Sequence, residues 1–199
     1  MRKAHHNWKG AKGASFGLTI VFILVQVGCN SHQQPVYEGE QGFHFTPPPG
    51  WVERARGDAL PAKSGQKRPE LPLPPLDMPG SSEQERLLVR YDRLTAGHLA
   101  WLRVTAVELP ASTSLEKCVS LHSPGPSWKL ESDPATLEVS GLPAARTSFV
   151  GHWSDQEYVN ETVAIRHREQ VYFITASFPA SDNTAREQVR RAVAGATWK

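Results

Sequence analysis

The chain has 199 residues, with 22 Lys and Arg against 20 Asp and Glu, a formal net charge of +2. Four of those cations (Arg2, Lys3, Lys9 and Lys12) and none of the acids lie in the first 28 residues, so the other 171 carry 18 basic and 20 acidic side chains. The basicity is local to the N-terminus. It gives no argument for a nucleic-acid partner, and 171 residues suffice for one domain with a real core.

The N-terminal segment reads as an export signal. Its basic start is followed by an apolar run from Ala14 to Gly28, interrupted by Gln26, and then by the polar Asn30-Ser31-His32-Gln33-Gln34. The uninterrupted part, Leu18 to Val25, is long enough for a signal h-region and too short to span a bilayer. Export alone does not need a cysteine at the cut. Val27-Gly28-Cys29 resembles the lipobox of bacterial lipoproteins, with Gln26 at the position where leucine is usual. The resemblance implies that Cys29 receives the lipid anchor and becomes the first residue of the mature chain. A cut without lipid and an uncleaved anchor are the alternatives. The expected organisation is a signal peptide over 1–28, a lipidated tether over 29–41 and an α+β domain over 42–199. With Cys29 acylated, Cys118 has no disulfide partner and reads as a small buried hydrophobe.

After the tether, Phe43 and Phe45 share one side of a short strand that ends at Pro47-Pro48-Pro49-Gly50. Residues 53–82 lose all periodicity and contain six prolines, which predicts an insertion loop between the first two strands. Leu87-Leu88-Val89-Arg90-Tyr91 predicts the second strand and Leu99 to Leu109 the third. In the third, Ala100, Leu102, Val104 and Ala106 face one way and Trp101, Arg103, Thr105 and Val107 the other. A helix is expected over 112–122, capped by Ser112 or Thr113. Strands follow within 128–139 and over 145–153, 158–166 and 171–178, with Gly141-Leu142-Pro143-Ala144 and His167-Arg168-Glu169-Gln170 as turns. The last three strands are expected to be antiparallel neighbours. A final helix carries the stripe Ala185, Val189, Ala192, Val193 and Ala196, capped by Thr184 or Asp182, with Trp198 as a packing anchor beyond it.

Phe43-His44-Phe45 through Pro49-Gly50-Trp51, the turn Val139 to Ala144, the hairpin from Val163 to Phe178 and the Asn183–Ala196 helix are similar to the PsbP/Mog1/DcrB-like fold. That resemblance implies a curved antiparallel sheet of about six or seven strands flanked by helices. It also implies a binding or accessory role without a shared catalytic constellation.

Motifs for chemistry are not found. The eight histidines have no metal-ligand spacing, no nucleophile elbow or phosphate loop is present, and no cofactor is expected. Gly151-His152-Trp153-Ser154-Asp155 reads as a polar turn, because adjacent residues point in different directions. Asn160-Glu161-Thr162 fits a glycan acceptor by letter only. If Trp101 and Arg103 lie on a face away from the helices, they form a recognition surface; if both sheet faces are covered, Trp101 is core. The expected function is a lipid-anchored envelope module that binds a protein partner. A small-ligand or lipid carrier and a hydrolase with a dispersed site are the alternatives.

Overall fold

The computed structural model describes residues 36–57, 85–95, 98–153 and 155–199. Cys29, the expected signal segment and most of the expected proline-bearing insertion therefore lie outside the described residues. Among the described residues there are ten strands and two α-helices, with five strands before the first helix, four between the helices and one after the second. Seven strands make the main sheet, antiparallel throughout, in the order β3 (Val52–Arg56), β4 (Arg86–Thr95), β5 (His98–Glu108), β9 (Gln170–Pro179), β8 (Gln156–His167), β7 (Leu142–Trp153) and β6 (Lys129–Val139). A second sheet joins β1 (Tyr37–Glu38), β2 (Phe43–Phe45) and β10 (Thr197–Trp198).

The main sheet is not strongly curled, which corrects the curved sheet expected from the resemblance. Its edge strands β3 and β6 stay apart, and helices pack on both of its faces. On one face, helix α2 (Asn183–Ala194) and the small sheet bury Leu102, Val104, Val163, Ile165, Tyr172 and Ile174 together with Phe43 and Phe45. On the other, helix α1 (Leu115–Leu121) packs Leu115, Cys118 and Val119 on Val107, Ala145, Ala164, Val171 and Phe173. Burial by separate layers on two sides does not require the sheet to wrap around a single core.

The period-2 patterns hold in detail. Ala100, Leu102, Val104 and Ala106 enter the α2-side core, and Val107 on the alternate row enters the α1-side core. The mid-chain turn is shorter than expected. Ser140 and Gly141, at φ 51° and 79°, make a two-residue hairpin between the paired Val139 and Leu142. Positive φ at both central positions matches the right-handed twist of the flanking strands. Helix α1 is capped by Ser114, whose side chain accepts from the Lys117 amide, one or two residues later than expected. Helix α2 is capped by Asp182, which accepts from the Ala185 amide at 2.9 Å and also from the Arg93 guanidinium of β4 at 3.3 Å.

Two boundaries move. Strand β1 falls inside the expected tether, where Tyr37 is buried and pairs with Phe45. Glu53 to Arg56, placed in the expected insertion, belong to edge strand β3. Their side chains are half-buried or exposed, so they carry no apolar alternation to read.

The residues around β10 close on the start of β2. The Lys199 amide donates to the Gly42 carbonyl at 2.9 Å, and a Cβ on Gly42 would sit 2.0 Å from the Lys199 carbonyl oxygen. Gly42 also has φ 75°. Gly42→Ala is therefore expected to cost about 2 kcal/mol and to release β10 first. Urea unfolding with amide exchange at 197–199 checks this, and wild-type protection of those amides in the variant would refute it.

Candidate functional site

Strand pairing places Trp101 opposite Asp92 and Arg103 opposite Arg90, all on the α1-side face. Trp101 is only 4% exposed. The Arg90 and Arg103 guanidinium carbons each lie 5.7 Å from its ring centroid, within cation–π range. Arg90 Nε donates to Asp92 Oδ1 at 3.0 Å, and Arg54 of β3 approaches the other Asp92 oxygen at 3.4 Å. Arg103 has a buried Nε with no hydrogen-bond partner among the described residues. Burial pulls its pKa down, with Glu85 opposing and Arg90 adding to the shift.

Farther along this face the rows stay polar although buried. Thr162 donates to Thr175 at 3.3 Å, and Ser177 and Asn160 lie beside them. The Asn160 side-chain amide makes no hydrogen bond among the described residues and the residue is 1% exposed, so its glycan-acceptor pattern sits in the middle of a buried strand. His122 stacks on Phe173 at 4.0 Å, and burial reinforced by Arg103 pushes its pKa down to about 4. Trp101 and Arg103 thus belong to a packed interior with polar members. Cys118 is likewise buried, and burial raises its thiol pKa, which disfavours the nucleophilic thiolate.

Among the described residues no group of three or more His, Cys, Asp or Glu is arranged to hold a metal ion. His152 and Asp155 are exposed at the β7–β8 turn, and Ser154 lies outside the described residues. No helix among the described residues is long and apolar enough to cross a membrane.

The opposite face carries an open groove. Ala185, Val189 and Val193 seat α2 on the core, and two arginines one helical turn apart reach sideways from it. Arg186 donates to Glu131 of β6 at 2.9 Å, and Arg190 donates to Glu161 of β8 at 2.9 Å through Nη2, with Nε at 3.3 Å from both oxygens. Glu161 is 2% exposed, whereas the Arg190 side chain is 45% exposed. Hydrogen bonding to Glu161 raises the Arg190 pKa. This pair forms part of the wall of a cavity of about 190 Å³, whose apolar lining is Leu137, Val139, Val163, Val193 and Ala194 and whose other charged members are Glu138 and Arg146. Arg146 makes no ion pair or side-chain hydrogen bond among the described residues, unlike Arg186 and Arg190.

Glu161 stands on the same side of β8 as Val159, Val163 and Ile165, and the cation that meets it, Arg190, comes from α2, 29 residues further along the chain. Replacing Arg190 by methionine leaves the Glu161 carboxylate buried without its cation. Complete loss of one partner in a fully buried pair costs about 3–5 kcal/mol, and the exposure of Arg190 reduces the expected loss to about 2 kcal/mol. Adding Glu161→Gln should return most of it. Equal urea midpoints for the single and double variants would show that the pair carries no such coupling.

A larger cavity, about 440 Å³, lies between β4, β5 and β9 and is lined by Arg86, Ala106, Val107, Glu108 and Gln170. Ligand sites for drug-sized molecules run about 300–1,000 Å³ with largely apolar walls. The apolar groove is below that range, and the larger cavity is mainly polar, so neither has the form expected for a lipid carrier.

The layered antiparallel sheet with α2 and the small sheet on one face and α1 on the other defines an α+β domain. The solution structure of cyanobacterial PsbP (CyanoP) from Synechocystis matches it at a TM-score of 0.54 and 14% identity, covering 86% of this chain and 96% of that one. A crystal structure of a protein from Bacteroides thetaiotaomicron matches at 0.50 and 10% identity, covering 84% of this chain, which spans about half (49%) of that protein. At these identities the likeness is one of fold. No family model and no curated protein matches the sequence.

Proposed function

We propose that this chain is a non-catalytic protein-binding module of a bacterial cell envelope, held to a membrane by lipid on Cys29. The observation that carries the binding role is the groove beside α2. It combines an apolar floor with an uncommitted guanidinium, Arg146, at a surface accessible to a partner. The chemistry-bearing groups His122, Cys118 and Glu85 instead lie buried or half-buried on the other face, and burial is the leading cause of each pKa shift. Support for the anchor is the basic, apolar and small-residue order that ends at Cys29.

Two measurements in the producing cell test the two halves. Intact mass and membrane fractionation of wild type against Cys29→Ser should show loss of the lipid mass and of membrane association in the variant. Retention at unchanged processing refutes the anchor. A photo-crosslinking residue at Ala194, in the groove, should join this chain to a discrete protein, while the same residue at Leu121, 65% exposed on the α1 side, should not. Crosslinks only to lipid from Ala194 would favour the carrier reading instead.

A further inference from the structure

Strand β6 is an edge. It pairs with β7 on one side and, among the described residues, with nothing on the other. Its first half is poorly suited to pairing, with register shifts between Leu130 and Ser132 and between Ser132 and Ala135, and Pro134 lacks an amide hydrogen. Such irregularities are how proteins blunt an exposed edge. The second half is different. Ala135 to Val139 runs in unbroken register against Arg146 to Leu142, and the 190 Å³ cavity opens beside it under the C-terminal half of α2.

Edge and cavity fit one mode of recognition. We infer, resting on the protein-binding reading above, that an extended segment of a partner protein adds as an eighth strand along Ala135–Val139, placing one apolar side chain in the cavity and an acidic side chain near Arg146. The unpaired backbone groups supply affinity and the pocket supplies selectivity, as in other strand-addition interfaces. The cavity is the size of a single large side chain and too small for a drug-sized ligand. Arg190 is already satisfied by Glu161, so Arg146 is the cation left to meet a carboxylate. The bulges and Pro134 limit pairing to a short run, which suits a peptide segment better than an extended edge-to-edge contact with a second copy.

The experiment uses the full chain in detergent and a displayed library of short random peptides as the probe. Selected peptides are expected to share an apolar residue near an acidic one. N-methylation of alternate peptide amides should weaken them by about tenfold or more, because a methylated amide cannot donate to the strand. Ala194→Trp, an exposed position on the cavity wall, should weaken binding similarly while leaving the thermal midpoint unchanged. Arg146→Gln should remove the acidic preference only. Insensitivity to N-methylation or to Ala194→Trp overturns the inference, as does self-association of the chain through β6 in sedimentation. If no peptide is selected while Ala194 still crosslinks to a protein, strand addition is wrong and the protein-binding reading stands. If peptides bind but no protein is crosslinked in the cell, the edge accepts a strand in vitro while the protein-binding reading fails, and the inference that rests on it fails with it.

Discussion

Replacing Phe43 by alanine is expected to destabilise the chain by about 4 kcal/mol, within the usual range for removing a buried phenylalanine. Phe43 has no exposed surface and stands where the small sheet meets the large one. Its ring is 4.8 Å from Tyr172 of β9, 5.1 Å from Trp198 of β10, 6.1 Å from Tyr37 of β1 and 6.4 Å from Phe45. Neighbours on four strands of two sheets cannot all shift to fill the space, so the cavity term is retained in full. The partners come from both ends of the domain, so the loss should appear as one cooperative transition moved to lower urea. Val52→Ala serves as the control, since Val52 is 56% exposed and its truncation should change stability by less than about 0.5 kcal/mol. A Phe43→Ala loss as small as that of the control would mean that the two sheets are not mutually dependent.

Acid should unfold the protein in a window set by His122. Its folded pKa is about 4, against 6.5 for an unperturbed histidine, because the ring is buried on Phe173 near Arg103. A depressed histidine pKa means that the unfolded chain binds the extra proton between those values. The stability is therefore fully present above pH 6.5 and is lost as the pH falls towards 4. The shift corresponds to about 3 kcal/mol as an order of magnitude. His167, also lowered by burial, adds with the same sign. Glu85 acts oppositely, because burial raises its pKa and favours the fold at low pH. Carboxylates held low, such as Glu131 beside Arg186, release their contribution only within and below the ordinary carboxylate range. Urea midpoints from pH 7.5 to 4 should fall steeply for wild type and much less for His122→Phe. Parallel profiles would remove His122 from the account.

The legible parts of the molecule are those that a local pattern encodes. The alternation in 99–109, 158–166 and 171–178 predicted strands and faces, because each side chain's side of the sheet depends only on its own position along the strand. The stripe at Ala185, Val189 and Val193 did the same for α2. Patterns failed where side chains are exposed on both sides. Glu53 to Arg56 read as loop and form an edge strand, and Tyr37–Glu38 read as tether and form β1. Two residues of strand are too few for any periodicity to show.

The candidate groove shows the same division more sharply. Glu161 shares the period of Val159, Val163 and Ile165, and nothing local in the sequence ties it to Arg190, Glu131 or Leu137. Their meeting depends on β9 inserting between β5 and β8, which carries α2 back across the sheet towards β6. Trp101 was open between surface and core, and coverage of its face is a property of layers, not of the strand that carries it.

What the amino-acid sequence determined alone was therefore local: the basic, apolar and small-residue order that ends at Cys29, the faces of the strands, the apolar stripe of α2 and the loss of periodicity after Trp51. The tertiary structure decided which charges pair, that both sheet faces are covered so that the sheet stays open, and that a regular stretch of edge strand borders an apolar cavity. The reason is physical. Periodicity and caps act over a few residues, whereas desolvating Glu161 beside Arg190, or Phe43 beside Trp198, requires segments far apart in sequence to be brought together by the whole fold.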